Sequence, residues 1–377
     1  MWDNIKKLKI SEMKMTEMET SRHKSSDEKV LSIELLRFAC AFSVLVWHYA
    51  HFTFGSSGQV QRCEYPFYWI FKLFYEKGYF SVQMFWMISG YIFFWKYGSA
   101  IAKNEISFKK FAIWRFSRLY PLHFVTLILV AIMQFIFFKQ NGIFFVYADN
   151  SIKDFVLQLF MANFWLPEPV HSFNAPIWSV SVEIIAYIVF FVSLRFFGKC
   201  FYKLFLVFII LLFPLLSNLF VNLFWCLLFF YAGGFVHFFN EFASSHKNKG
   251  NLLFYVVMTT VISAIYLNQV HSQRNFRVMV IGFAALAIIT ECLKIPKKYE
   301  SCVAFLGNLT YSSYLLHFPL QLLIAVICVA LDCEIPYRSN IFFVSFVLLT
   351  FALSAVCYSK FEVPVRNFIR NKYRKFV

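Results

Sequence analysis

Charge is scarce in this chain: Asp, Glu, Lys and Arg make up 15% of its 377 residues, where a soluble globular domain carries about 25%. That scarcity excludes an ordinary solvated surface. Apolar residues do not alternate with a period of two, which excludes the strands of an outer-membrane barrel. Glycine and proline are few, at 12 and 10, and no stretch rich in Gly, Ser or Pro divides the chain into two bodies. No internal repeat is visible. The nine cysteines include no CxxC pair and no zinc-type spacing, and most fall inside apolar runs, where they read as small buried side chains. Only Cys63 and Cys333 lie in expected outer loops, which leaves a disulfide between them open. The first thirty residues are polar and lysine-rich, without an apolar core or a small-residue cleavage site, so a cleaved signal peptide is not expected.

What fills the chain is hydrocarbon. Hydrophobic residues make up 60%, with 52 Phe, 20 Tyr and 9 Trp, gathered into runs of about twenty, the length that crosses a bilayer at 1.5 Å rise per residue. The expected fold is therefore all-α integral membrane, with about ten transmembrane helices at 32–52, 79–94, 119–138, 177–196, 201–220, 221–238, 252–268, 278–292, 309–331 and 341–358. The stretch 155–165 is too short to span and reads as an interfacial or re-entrant helix inside the longest outer segment, 139–175. The net charge of +16 would raise nucleic acid as a partner of a soluble chain, but the positions of the charges point to a membrane. With these spans, 28 of the 36 Lys and Arg fall on one side and 8 on the other, the positive-inside pattern that places both termini in the cytoplasm and leaves some basic residues to touch membrane lipids. The organisation expected is a polar cytoplasmic extension over 1–30, one transmembrane domain over 31–365 and a basic cytoplasmic tail over 366–377.

An ionisable group inside a transmembrane helix is costly, so each one is a functional candidate. The first span holds Arg37 and His48, eleven residues apart; on an ideal helix they share a face, separated by about 20° around the axis and roughly 16 Å along it. A snorkelling arginine and a hydrogen-bonded core histidine are the blander explanation. His51 could join His48 on a metal, but no third ligand is evident. After the second span, Arg115 and Arg118 lie one turn apart and can present two forked donors to one polyanion, with Pro121 expected near the start of the next span, where its missing N–H costs least. Ser179, Glu183 and Tyr187 form a polar ladder spaced i, i+4, i+8 on the fourth span. The buried glutamate needs a partner, which Arg or His from the first span would supply, unless the pair is purely structural. On the ninth span, Ser313 and Tyr314 lie one turn before His317 and can orient its ring.

Taken together, these segments resemble the acyltransferase-3 family of membrane O-acyltransferases, whose members O-acetylate O-antigen, capsule, peptidoglycan or exported oligosaccharides. The matching pieces are RFACAFSVLVWH from Arg37 to His48, FWMISGY from Phe85 to Tyr91, RFSRLYP from Arg115 to Pro121, WSVSVE from Trp178 to Glu183, LGNLTYSSYLLHFP from Leu306 to Pro319 and FEVP from Phe361 to Pro364. They run in the family's order and cover nearly all of the chain after Val30. Thr310 stands where many members have Ser.

The resemblance implies a multi-pass protein of the bacterial cytoplasmic (inner) membrane that moves an acyl group, most commonly acetyl, from acyl-CoA to a saccharide hydroxyl, the acceptor being in some cases lipid-linked. No permanently bound cofactor is implied; acetyl-CoA is a substrate. The family's first-helix Arg and His map to Arg37 and His48, its RxxR pair to Arg115 and Arg118, and its helix glutamate to Glu183. His48, Arg37 and Glu183 are then the expected catalytic residues, Arg115 and Arg118 the expected donor-binding pair, and Ser179, Tyr187, Tyr314 and His317 the expected supporting groups. His48 would act as general base on the sugar hydroxyl or as a nucleophile that carries the acyl group. A transporter or flippase would also place Arg, Glu and His in the membrane, but would show broken spans in two matching halves, and a polysaccharide polymerase would share the Phe-rich polytopic character.

Overall fold

The computed structural model describes residues 31–54, 60–198, 220–245 and 274–374, and every regular element among the described residues is helical. In chain order the helices are α1 (Leu31–Thr53), α2 (Tyr68–Lys77), α3 (Ser81–Phe93), α4 (Phe108–Asn141), α5 (Ile152–Leu159), α6 (Trp178–Phe197), α7 (Val221–Ser245), α8 (Arg274–Cys292), α9 (Glu300–Asn308), α10 (Thr310–Ala330), α11 (Asn340–Cys357) and α12 (Val363–Lys372). Among the described residues, six runs are long and apolar enough to cross a membrane: α1, α4, α6, α7, α10 and the continuous run α11–α12. A seventh crossing arises if α8 and α9, bent by 113° at the break between them, count as one. The expected span at 252–268, and all but the last residue of that at 201–220, lie outside the described residues.

Several expectations change at the level of local structure. The span expected at 79–94 is built in pieces, with a 3-10 turn at Gly78–Phe80, then α3, then a π-helical turn at Phe94–Gly98 and a short helix at Ser99–Ala102. The interfacial helix is Ile152–Leu159, shifted toward the N-terminus, because Ser151 and Asp154 form a capping box that starts it there and Met161 turns left-handed just beyond it. Pro121 is inside α4, not at its start. Ser107 caps that helix, its hydroxyl accepting from the Lys110 N–H at 3.2 Å, so the RFSRLYP segment is helical throughout. A mid-helix proline cannot donate and crowds the carbonyl of the residue four earlier. Other elements brace this part of α4: Tyr311 donates to the Leu119 carbonyl at 2.5 Å, and Arg370 of α12 donates to the Ser117 hydroxyl at 3.2 Å. The basic segment after residue 365 is thus helical through Lys372 and packed on α4. Cys63 and Cys333 are both free thiols.

Two faces show why the composition is so apolar. On α11, Ile341 is 80% and Leu348 65% exposed, side chains that would be unfavourable in water and are at ease in lipid. In the interior, α3 and α7 make the closest helix contact through glycines. A Cβ at Gly90 would lie 1.7 Å from the Phe230 carbonyl oxygen, and one at Gly233 would lie 1.8 Å from that of Met87. Without a hydrophobic drive between helices in lipid, backbone approach of this kind supplies the van der Waals contact that holds them. The glycine of FWMISGY is a packing requirement.

Candidate active site

Residues of five of the six sequence motifs, from Arg37 to Tyr314, meet around one cavity of about 430 Å³, within the range of small-molecule sites. Its lining includes Arg37 from α1, Trp86 and Ser89 from α3, Arg115 and Arg118 from α4, Ser179, Glu183 and Tyr187 from α6, and Thr310 and Tyr314 from α10. Four basic and two acidic side chains line it, the others being Lys96 and Glu34. That excess of positive charge inside a low-dielectric body suits an anionic ligand.

Arg37 is held on three sides. Its Nη1 donates to both carboxylate oxygens of Glu34, at 2.9 and 2.8 Å, and its Nη2 donates to the Thr310 hydroxyl at 2.9 Å. Thr310 in turn donates to the Gly307 carbonyl at 2.9 Å. A Cβ on Gly307 would stand 2.1 Å from a Glu34 oxygen, so the LGNLT motif is shaped to seat this ion pair. The partner expected for Glu183 is therefore wrong: Arg37 is engaged by Glu34, one turn earlier on its own helix. Glu183 lies instead beside Ser89 and Tyr187 and is coupled electrostatically to Arg115 and Arg118, while its Oε1 is buried without a hydrogen bond. The ladder of Ser179, Glu183 and Tyr187 does share the cavity face, as the spacing predicts.

The two arginines of RFSRLYP are not equivalent. Arg115 Nη2 donates to the Tyr97 hydroxyl at 2.8 Å, and its guanidinium lies 4.9 Å from the Phe93 ring centre and 5.2 Å from that of Tyr97, a cation–π seat. Arg118 makes no side-chain hydrogen bond among the described residues and lines the cavity in the field of Glu183 and Glu362. Nearby, Glu362 of FEVP accepts a hydrogen bond from Ser312.

His48 does not line the cavity. α1 is α-helical to Trp47 and tightens to a 3-10 turn over His48–Thr53, so His48 stands at the far end of the regular helix from Arg37, beyond the cavity lining. A row of rings leads to it instead. Tyr314 lines the cavity and is fixed by donating to the Pro176 carbonyl at 2.9 Å while the Ser179 hydroxyl lies 2.8 Å from its oxygen. The His317 ring lies 6.1 Å beyond Tyr314, His48 is stacked on His317 at 4.9 Å with 19° between planes, and His51 follows at 4.9 Å. The Tyr147 hydroxyl then approaches His51 Nε2 at 3.4 Å, and the exposed His171 ring lies 6.1 Å from Tyr147.

Tautomers in this row follow from the hydrogen bonds. Gln321, fully buried on α10, donates from Nε2 to the His48 carbonyl at 2.8 Å, so its Oε1 faces His51 Nδ1 at 2.9 Å. An amide oxygen only accepts, so His51 carries its proton on Nδ1. His317 Nδ1 lies 3.2 Å from the Ser313 carbonyl and must likewise be the donor. The lone pair of the neutral His317 ring is then on Nε2, which is buried and unpaired, as is Nδ1 of His48. Sequence reasoning passed over Glu34, Ser89, Gln321 and Tyr147. Glu34 at i−3 from Arg37 and Gln321 at i+4 from His317 were signals within reach; Tyr147 was not, since only the folded outer segment brings it to His51. Among the described residues, no group of three or more His, Cys, Asp or Glu side chains has the arrangement of a metal site.

Comparison with known proteins agrees with this convergence. The model of the acyltransferase-3 family, described as an acyltransferase domain, matches residues 30–359. Acyltransferase MdmB of Streptomyces mycarofaciens is 31% identical over 113 residues, which span 29% of this chain and 27% of that protein. No solved structure matches.

Proposed function

The chain belongs to the acyltransferase-3 family, and is thus a membrane acyltransferase; from that premise we propose that it moves an acyl group, acetyl in the first instance, from acyl-CoA to a hydroxyl of a cell-surface or lipid-linked saccharide. The observation that carries this reading is the adjacency of two chemistries. A cationic cavity leads, through Tyr314, to a pair of stacked imidazoles. CoA is a polyanion on a flexible arm that ends in a thioester. Its phosphates would be held at Arg118, with Arg115 and Lys96 adding charge. The amide N–H groups of its arm would meet the unpaired Oε1 of Glu183, and the thioester would lie toward His317 and His48. His48 would take the proton of the acceptor hydroxyl as that oxygen becomes the ester oxygen. With the positive-inside orientation, the cavity opens to the cytoplasm, where acyl-CoA resides, and His171 faces the opposite side of the cytoplasmic membrane. A Cys replacing Lys297 would then be labelled only from the cytoplasmic side.

The experiment is equilibrium binding of acetyl-CoA to purified protein in nanodiscs, paired with mass and NMR analysis of surface glycan from cells with and without the gene. Absence of acetyl-CoA binding, or an unchanged glycan, would sink the corresponding half of the reading.

A further inference from the structure

We infer that His317 is the nucleophile that carries the acyl group, with His48 as the base that activates the acceptor for the second half of the reaction. The inference rests on the acyl-CoA reading above and chooses a route that reading leaves open.

Position is the first argument. In the row Tyr314, His317, His48, His51, Tyr147, the imidazole nearest the cavity is His317, and His48 is one ring further away. A donor entering from the cavity meets His317 first. Orientation is the second. The Ser313 carbonyl fixes the proton of His317 on Nδ1 and leaves the Nε2 lone pair free, so this nitrogen is nucleophilic without prior deprotonation. A buried acceptor with no partner needs an explanation, and an electrophile supplied by the substrate is one. Burial is the third argument. His317 is 1% exposed, and an acylimidazole, which water destroys readily, survives only where water is excluded.

Tyr314 is the step between cavity and nucleophile. The thioester reaches His317 once that ring turns out of its seat on Pro176 and Ser179. Nε2 then attacks the carbonyl carbon; the N–C bond forms, the C–S bond breaks, and CoA leaves as thiolate. The acylated ring keeps its Nδ1 proton on the Ser313 carbonyl and is cationic, which makes the acyl group a better acceptor of attack. In the second half, the saccharide hydroxyl attacks the same carbon while its proton passes to His48, stacked alongside. The N–C bond breaks, His317 returns neutral, and the proton on His48 is passed on to the thiolate. Acyl-CoA and alcohol become ester and free CoA, with nothing left over.

The test needs no saccharide. Wild-type protein in nanodiscs is given acetyl-CoA and radiolabelled CoA, exchange of label into acetyl-CoA is followed, and acid-quenched protein is digested and searched for acetyl by mass spectrometry. The wild type should exchange label and carry acetyl on His317. His317→Asn should lose exchange to background while still binding acetyl-CoA, which also shows that it folds. His48→Ala should keep exchange and lose transfer to saccharide. Binding without exchange or acetyl in the wild type would mean direct transfer and overturn the inference alone, as would acetyl on His48 or undiminished exchange in a His317→Asn protein that binds donor. Failure of the wild type to bind acetyl-CoA would instead remove the donor assignment on which the inference rests. If His317→Asn fails to fold, the site of acetylation in the wild type still decides.

Discussion

The two ends of α1 present opposite solutions to a polar group in hydrocarbon. Arg37 donates three charge-assisted hydrogen bonds, two to Glu34 and one to Thr310, whereas His48 and its neighbour His317 each keep a ring nitrogen buried and unpaired. A satisfied charge is a fixture: it sets the field of the cavity and cannot change partner cheaply. An unsatisfied lone pair is available to a substrate atom, at a standing cost to stability of about 1–3 kcal/mol. On the proposed reading, binding belongs to the cavity and reactivity to the imidazole pair beyond Tyr314.

The strongest way to break that division is at the reactive end. His48→Ala should reduce glycan acylation to background with normal expression and membrane insertion, because alanine is inexpensive in the bilayer and only the base is lost. Near-normal acylation would take His48 out of the mechanism. The fixture end should respond differently. Glu34→Gln removes the counter-charge of Arg37 inside the cavity; breaking a fully buried pair from one side costs about 3–5 kcal/mol, and this half-buried pair a part of that. Thermal unfolding of the purified protein should therefore move sharply downward, and an unchanged midpoint would show that Arg37 is solvated and not fixed.

At the donor end, the inequality of the two arginines sharpens the comparison. Arg118, without a hydrogen-bond partner among the described residues, is expected to grip the phosphates through bonds of about 1.5–3 kcal/mol, so Arg118→Ala should raise the Michaelis constant for acyl-CoA by roughly ten-fold or more. Arg115→Ala should raise it less and lower stability more, since it empties the seat formed by Phe93 and Tyr97. Lys should rescue position 118 in part, because it restores charge without the planar fork. A donor constant unmoved in the double variant would place the phosphates elsewhere. Gly90→Ala tests the scaffold itself: its methyl would collide with the Phe230 carbonyl, at a cost of about 3 kcal/mol or more, read as loss of folded protein.

How much of this was visible in one dimension depends on the range of the contact. Ser179, Glu183 and Tyr187 are read correctly because a helix carries its own ruler, and the ruler holds as long as the helix is regular. It does not say how far the cavity reaches along α1, so it could not show that His48 lies beyond the lining, and it misplaced Pro121, because Ser107 caps α4 well before that residue. The pairing of Glu183 was misassigned for a related reason: the demand for a counter-charge was sound, but Arg37 already had a nearer carboxylate at i−3. The convergence of Arg37, Phe85–Tyr91, Arg115, Arg118, Glu183 and Thr310 on one cavity is a tertiary fact. Apolar periodicity says which face of each helix is buried, not which helices meet.

The smallest effect should come from the loops beyond the passage, where charge is again inexpensive. Glu64 accepts from the Gln61 backbone N–H at 3.1 Å and is paired with Arg338, tying the loop after α1 to the one between α10 and α11. The backbone hydrogen bond from Gln61, with Arg338 adding to it, holds the Glu64 carboxyl below the usual carboxylate range. A carboxyl whose value is depressed in the folded state contributes stability that is fully present above its ordinary range and is lost as pH falls through the depressed value. The pair is solvent-exposed, and exposed pairs contribute little. Glu64→Gln should accordingly leave acyl transfer and the unfolding midpoint nearly unchanged at neutral pH. What it should change is local: the protection of amides in residues 61–65 against hydrogen exchange, taken relative to the intrinsic rate at each pH, should fall in the variant, and in the wild type should fall only on acidification. Protection that is independent of pH in the wild type would show that Glu64 does not hold this loop, and a loss of activity in the variant would show that the loop tie reaches the imidazole row and that the separation between holding and reacting parts extends less far than the geometry implies.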